Sequence, residues 1–151
     1  MKPVLMSAAL LAALGVSLPA AAQFQKPEDA IHYRQSVMTV MGTHFGRVNA
    51  MATGKAPFDA AAVQANTEIA LAMSKLPFVA FTAGTEKGGN TKARAEVWSQ
   101  PDKFKAAQQK MQDEMAKLAA AAKTGDIEQI KIAAGATGQS CKACHDDFRE
   151  K

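Results

Sequence analysis

The sequence is short of nearly everything that would place a small chain in a β-fold, a membrane or a complex with nucleic acid. Runs in which β-branched and polar residues alternate, the mark of half-buried strands, are scarce. Past the N-terminus, nothing approaches the roughly 20 apolar residues needed to span a bilayer. Lysine and arginine outnumber aspartate and glutamate 18 to 14, but they are dispersed and lack interleaved aromatics. Such charges read as solvated helix faces, not as a nucleic-acid surface. No repeat or low-complexity segment appears beyond a richness in alanine. Cysteine is scarce as well: there are two, and both fall within the last dozen residues.

The opening stretch has the order of a secretory leader. Lys2 is a short positive region, Val4 to Leu18 an apolar one, and Ala20-Ala21-Ala22 an A-x-A cleavage site. A membrane anchor would need a longer apolar run. Residues 1–22 are therefore expected to be removed, leaving one domain over 23–151. Loss of Lys2 takes the net charge from +4 to +3. The expected location is the periplasm.

What remains is rich in alanine, methionine, lysine and glutamine, punctuated into four segments. Pro27 with Glu28 and Asp29 makes a good helix start, since proline suits the first turn and acids favour the positive end of the dipole. Ile31, Met38, Met41, Phe45 and Val48 then recur as one helical stripe, with Gly54 as the stop. Gly42 and Gly46 within it would admit another helix or a flat ligand. Asp59 can cap a second helix bearing Val63, Ile69, Ala70 and Met73, ending before Pro77. A glycine-rich stretch, 77–98, lacks a helical period and is long enough to cross an end of the fold or cover something. Ser99-Gln100-Pro101-Asp102 resembles a capping box for a third helix with Phe104, Met111, Met115 and Leu118, closed by Gly125. Asp126 and Gln129 open a fourth, whose inward stripe is Ile127, Ile130, Ala134, Thr137, Cys141 and Phe148. The Thr137 hydroxyl can bond a carbonyl one turn back. Two short links and one long crossing predict an all-α, antiparallel four-helix bundle.

The last helix carries "CKACH". Continued to the C-terminus, it sets Cys141, Cys144, His145 and Phe148 at i, i+3, i+4 and i+7, on the face that Ile130 and Ala134 turn inward. Two thiols adjacent to an imidazole suit covalent haem attachment: the sulfurs add to the vinyl groups and the histidine offers a nitrogen to iron. A disulfide across three residues would close a tiny loop and stabilise little. A thioredoxin-like pair requires a βαβ setting, and a structural zinc site requires a fourth ligand that the sequence does not offer. The expected cofactor is one covalent haem c in the bundle interior, with Cys141 and Cys144 as its thioether anchors and His145 as the axial metal ligand.

With that motif at the C-terminus of four helices, the chain resembles the class II c-type cytochromes, and the cytochrome c′ family most closely. The resemblance includes "QFQKPEDAIHYRQSVMTVM", "GKAPFDAAAV", the loop ending in Trp98 and "CKACHDDFR". It implies a homodimer packed through the first two helices and His145 as proximal ligand. It also implies that Arg34 and Gln35 contact the haem propionates and that Arg149, one turn past His145, lies near the proximal face. An arginine on an apolar face needs an anionic partner, which a propionate would provide and a surface acid could as well. The distal position of the family falls on Met38.

Met38 divides the functional readings. Packed over the ring, it leaves five-coordinate iron open to NO and CO; bound to iron, it makes a six-coordinate low-spin His/Met electron carrier. Methionine in a helix stripe is more often filler than ligand, and the resemblance favours the open site. His32 and His44 are expected on exposed faces. A peroxidase or NO reductase would need distal polar groups, which Met38, Met41 and Phe45 do not supply. The expectation is a redox and gas-binding protein, not an enzyme, with small molecules or electron-transfer proteins as partners.

Overall fold

The computed structural model describes residues 23–151, so the expected leader at 1–22 lies outside the described residues. Four long or medium helices and one short one follow in order: α1 Pro27–Ala52, α2 Ala60–Met73, α3 Glu96–Ser99, α4 Pro101–Thr124 and α5 Ile127–Phe148. A 3₁₀ turn, Pro77–Ala80, follows α2. The helices α1, α2, α4 and α5 form an antiparallel four-helix bundle. Two hairpins, α1 with α2 and α4 with α5, close it through α2–α4 and α1–α5 contacts. None of the described helices is long and apolar enough to cross a membrane.

Local chemistry sets the helix ends. Proline begins α1 and α4, where its missing N–H has no intrahelical partner to lose. Asp59 accepts a hydrogen bond from the Ala62 N–H at 3.0 Å and so caps α2. Asp126 accepts from Glu128 and Gln129 N–H groups at 2.9 and 3.3 Å, and the Gln129 amide adds a third bond to the same carboxylate. Those donors hold the Asp126 carboxyl below the usual carboxylate range. Gly125 takes a left-handed φ of 69°, which lets the chain leave α4 and start α5 within two residues. At α4 the expectation fails: Gln100, not Ser99, occupies the cap, and no side chain bonds there.

The core runs along the bundle axis and contains Val48, Val63, Met115, Leu118, Ile130 and Ala134, all essentially inaccessible to solvent. The α1 and α5 stripes point inward as their spacing demands. Ile69 does not; it is 40% exposed on α2, where Thr67 takes the buried position. Thr137 makes the expected bond to the Ala133 carbonyl at 2.9 Å, and also reaches the Glu114 carbonyl of α4 at 3.2 Å. Neither Gly42 nor Gly46 has another group within 4 Å of where its Cβ would be. The close α1–α5 approach comes at Gly138, whose Cβ would touch the Phe45 ring at 3.7 Å.

Candidate haem site

At the end of the bundle that holds the C-terminus, the helices part around a cavity of about 560 Å³, within the roughly 300–1,000 Å³ usual for cofactor pockets. Helix α5 supplies Cys141, Cys144 and His145 to its wall. Helix α1 supplies Met38, Met41, Gly42 and Phe45, and α4 contributes Phe104 and Met111. The apolar bulk of this lining gives way at the mouth to Gln35, Asn90, Thr91, Lys92 and Arg149. The motif residues therefore open into one chamber with an apolar interior and a polar rim. A flat, largely apolar group with a charged edge and reactive vinyls fits that chemistry.

Partial desolvation tunes the three motif side chains. The Cys144 thiol is pushed up to about 11 by desolvation, with Cys141 and Asp147 adding to the shift. Cys141 is raised as well, mainly by burial. Both sulfurs are thus neutral thiols at pH 7. Desolvation and the neighbouring Arg149 lower the pKa of His145, so its ring keeps a lone pair available for a metal.

Arg149 lies beside His145, but not as a helical residue. Helix α5 ends at Phe148, and Arg149 is extended, with φ −129° and ψ 136°, not one more helical residue. Its backbone N–H still donates to the His145 carbonyl at 3.1 Å, and its side chain lines the cavity. An antiparallel bridge to Ala93 holds it there. Arg94 N–H donates to Phe148 O at 2.9 Å, and Glu150 N–H to Lys92 O at 2.8 Å. One isolated antiparallel bridge thus pins the last residues.

Arg34 is buried, 3% exposed, and has no carboxylate within ion-pair distance among the described residues. Its two terminal nitrogens donate to the Ala80 carbonyl, the Thr85 hydroxyl and carbonyl, and the Thr91 hydroxyl, at 2.8–3.0 Å. The guanidinium also lies 4.4 Å from the Phe81 ring centroid and 5.6 Å from that of Trp98. Desolvation lowers its pKa, with the Glu86 charge partly opposing. The surface-acid partner weighed from sequence is thus replaced by neutral oxygens and aromatic faces, which an arginine fork can satisfy. Gln35 is exposed and donates to the Asn90 carbonyl at 3.0 Å.

Met38 is half-buried in the α1 wall. His32 is exposed, while His44 is half-buried and pairs with Asn66 at 2.8 Å, away from the cavity lining. Sequence reasoning missed the aromatic wall, in which Phe104 contacts Phe81 and Phe148 with ring centroids 5.0 and 5.1 Å apart. The cluster of phenylalanines at 78, 81, 104 and 148 was visible as composition, but not as one surface.

The family model described as Cytochrome C′ matches residues 29–149. Cytochrome c′ of Rubrivivax gelatinosus is 56% identical over 129 residues, covering 85% of this chain and all of that protein. Its crystal structure superposes with a TM-score of 0.83 at 55% identity, again over 85% of this chain and 100% of that one. A nitric oxide complex of a variant cytochrome c′ from Alcaligenes xylosoxidans gives a TM-score of 0.80 at 50% identity, covering 85% and 99%. The chain belongs to the cytochrome c′ family, whose members carry covalently attached haem c.

Proposed function

We propose that the protein is a periplasmic one-electron carrier and gas-binding cytochrome whose iron is five-coordinate in the resting state. Cys141 and Cys144 would hold the haem by thioether bonds and His145 would offer its iron a nitrogen. The haem would supply a one-electron couple and a binding position for a neutral diatomic molecule. Every other contribution comes from the chain. Met38, Met41 and Phe45 keep the distal side apolar, so water and anions are disfavoured there while NO and CO are admitted. Arg34 and Gln35 line the part of the cavity that would receive the propionates, and Arg149 would supply a cation beside His145. The distal wall offers no acid or base to drive O–O cleavage, which supports a binding and redox role over an enzymatic one.

The observation that carries this reading is the α1 wall, where Met38, Met41, Gly42 and Phe45 meet the cavity, with Arg34, Gln35 and Thr39 as its polar members. Two relatives support the gas ligands: the nitric oxide complex above, and a carbon monoxide-bound variant of the same Alcaligenes protein, at TM-score 0.79 and 50% identity. The leader read in residues 1–22 supports the periplasm. Exposed Val40 on α1 and Ile69 on α2, with Phe58 between those helices, support a homodimer through that pair. An absorption spectrum of ferric protein tests the central point. High-spin iron that binds CO directly on reduction is expected. A low-spin spectrum with a sulfur-to-iron band, lost in Met38→Ala, would replace it with the six-coordinate His/Met carrier.

A further inference from the structure

The segment between the 3₁₀ turn and α3 makes few backbone hydrogen bonds of its own. From Thr85 to Arg94 it has no regular ladder, and Gly84, Gly88 and Gly89 all have positive φ. Yet it lies tightly on α1: a Cβ at Gly89 would touch Ile31 at 3.7 Å, and one at Gly88 would sit 3.6 Å from Glu28. What holds it is borrowed. On the distal side, Arg34 donates to Ala80, Thr85 and Thr91, and Gln35 donates to Asn90. On the proximal side, Lys92 and Arg94 pair with the backbone on either side of Arg149. Thr91 joins the two ends, since its hydroxyl accepts from Arg34 and from the Ala93 N–H at 3.2 Å.

We propose that residues 80–94 form a strap tying the distal helix α1 to the proximal C-terminus, with buried Arg34 as its lock. A single guanidinium satisfies two buried carbonyls and two hydroxyls in the strap. Removing it leaves those groups without their donor and weakens the strap from Ala80 to Thr91. The slack is passed to the Ala93–Arg149 bridge, because only Lys92 lies between Thr91 and Ala93. Arg34 is thus a positioning residue: it sets where Arg149 stands beside His145 without touching that side of the cavity. This goes beyond the five-coordinate reading and does not depend on the spin state of the iron.

Amide hydrogen exchange on the haem-loaded protein tests it, comparing the unmodified chain with Arg34→Gln and Arg34→Lys. The Arg94 and Glu150 amides, bonded across the bridge, are expected to exchange at least about tenfold faster in Arg34→Gln, a change in opening free energy of roughly 1.4 kcal/mol or more. The Leu118 and Ile130 amides in the bundle core should hold. Arg34→Lys should give an intermediate result, since an ammonium keeps the charge but not the planar fork. Trypsin should cut faster at exposed Lys87 in both variants. If exchange rises only within 80–91 while Arg94 and Glu150 stay protected, the strap does not transmit and the proposal falls. If nothing changes, Arg34 is not the lock. Thr91→Val removes the joining hydroxyl alone, and should expose the same two amides to a smaller degree even if Arg34→Gln proves unable to fold.

Discussion

Two threonines in the core offer a comparison in which the same substitution should have opposite signs. Thr67 in α2 and Thr137 in α5 are both completely buried. Thr137 donates its single hydroxyl hydrogen to a site shared by the Ala133 and Glu114 carbonyls. Thr67 Oγ1 has no hydrogen-bond partner among the described residues. Valine matches threonine in shape, so Thr→Val isolates the hydroxyl. A buried polar group without a partner costs about 1–3 kcal/mol, whereas a made hydrogen bond returns about 1 kcal/mol net. The carbonyls that Thr137 serves also accept helix N–H groups, so losing its hydroxyl does not orphan them. Thr67→Val should therefore stabilise by about 1 kcal/mol and Thr137→Val destabilise by about the same. In a domain of this size each kcal/mol moves Tm by about 3–5 °C, which places the two variants on opposite sides of the parent. Denaturant titration of haem-loaded protein followed by circular dichroism should show the same ordering with unchanged m. If Thr67→Val proves as damaging as Thr137→Val, a buried water serves that hydroxyl and the reasoning fails.

Replacing both Cys141 and Cys144 by alanine should make the haem extractable in acid–acetone. The unmodified protein should retain it, at the mass of residues 23–151 plus one haem. Met38→Ala should speed CO association to ferrous protein on the order of tenfold, the effect of lowering the entry barrier by about 1.4 kcal/mol, with little change in ferric spin state by absorption. Stopped-flow mixing reads the rate. Asp126→Ala should lower Tm at neutral pH by removing the α5 cap. Because bonding depresses the folded-state pKa of Asp126, its contribution is present above the unfolded value near 3.9 and vanishes as pH falls through the folded value. Thermal melts of parent and variant should therefore converge in strong acid.

Much of this architecture can be read locally, and the reason is short range. A cap such as Asp59 or Asp126 bonds amides two or three residues away, so sequence spacing alone specifies it. The same holds for Gly125, and for Cys141, Cys144 and His145 sharing one turn and a half of helix. The failures also have physical causes. Pro101 takes N1 after Gln100, so the cap register shifts by one from Ser99. On α2, Thr67 and Ile69 compete for the interior, and a mean pattern cannot tell which of two near positions the neighbouring helices will cover. The strap lay beyond reach altogether. Arg34 meets its acceptors 46 to 57 residues downstream, and nothing in a run of Thr, Gly, Lys and Asn announces which carbonyls a buried guanidinium will choose.

The cavity explains why so much of the chain is spent around a motif of five residues. Cys141 to His145 furnish one wall, and a lone helix bearing two thiols and an imidazole would expose them all to water. The opposite wall comes from α1, about a hundred residues earlier in sequence, and the floor from Phe104 and Met111 of α4. An apolar chamber of that size left without its occupant would forfeit packing on every side. A covalently held group that fills it stabilises the folded state, because the complete chamber exists only there. Arg34 adds the complementary constraint at the rim. A buried cation that no carboxylate of the described residues reaches depends on the strap oxygens and the Phe81 face for its partners. The strap is therefore held down by the same desolvated charge that needs it.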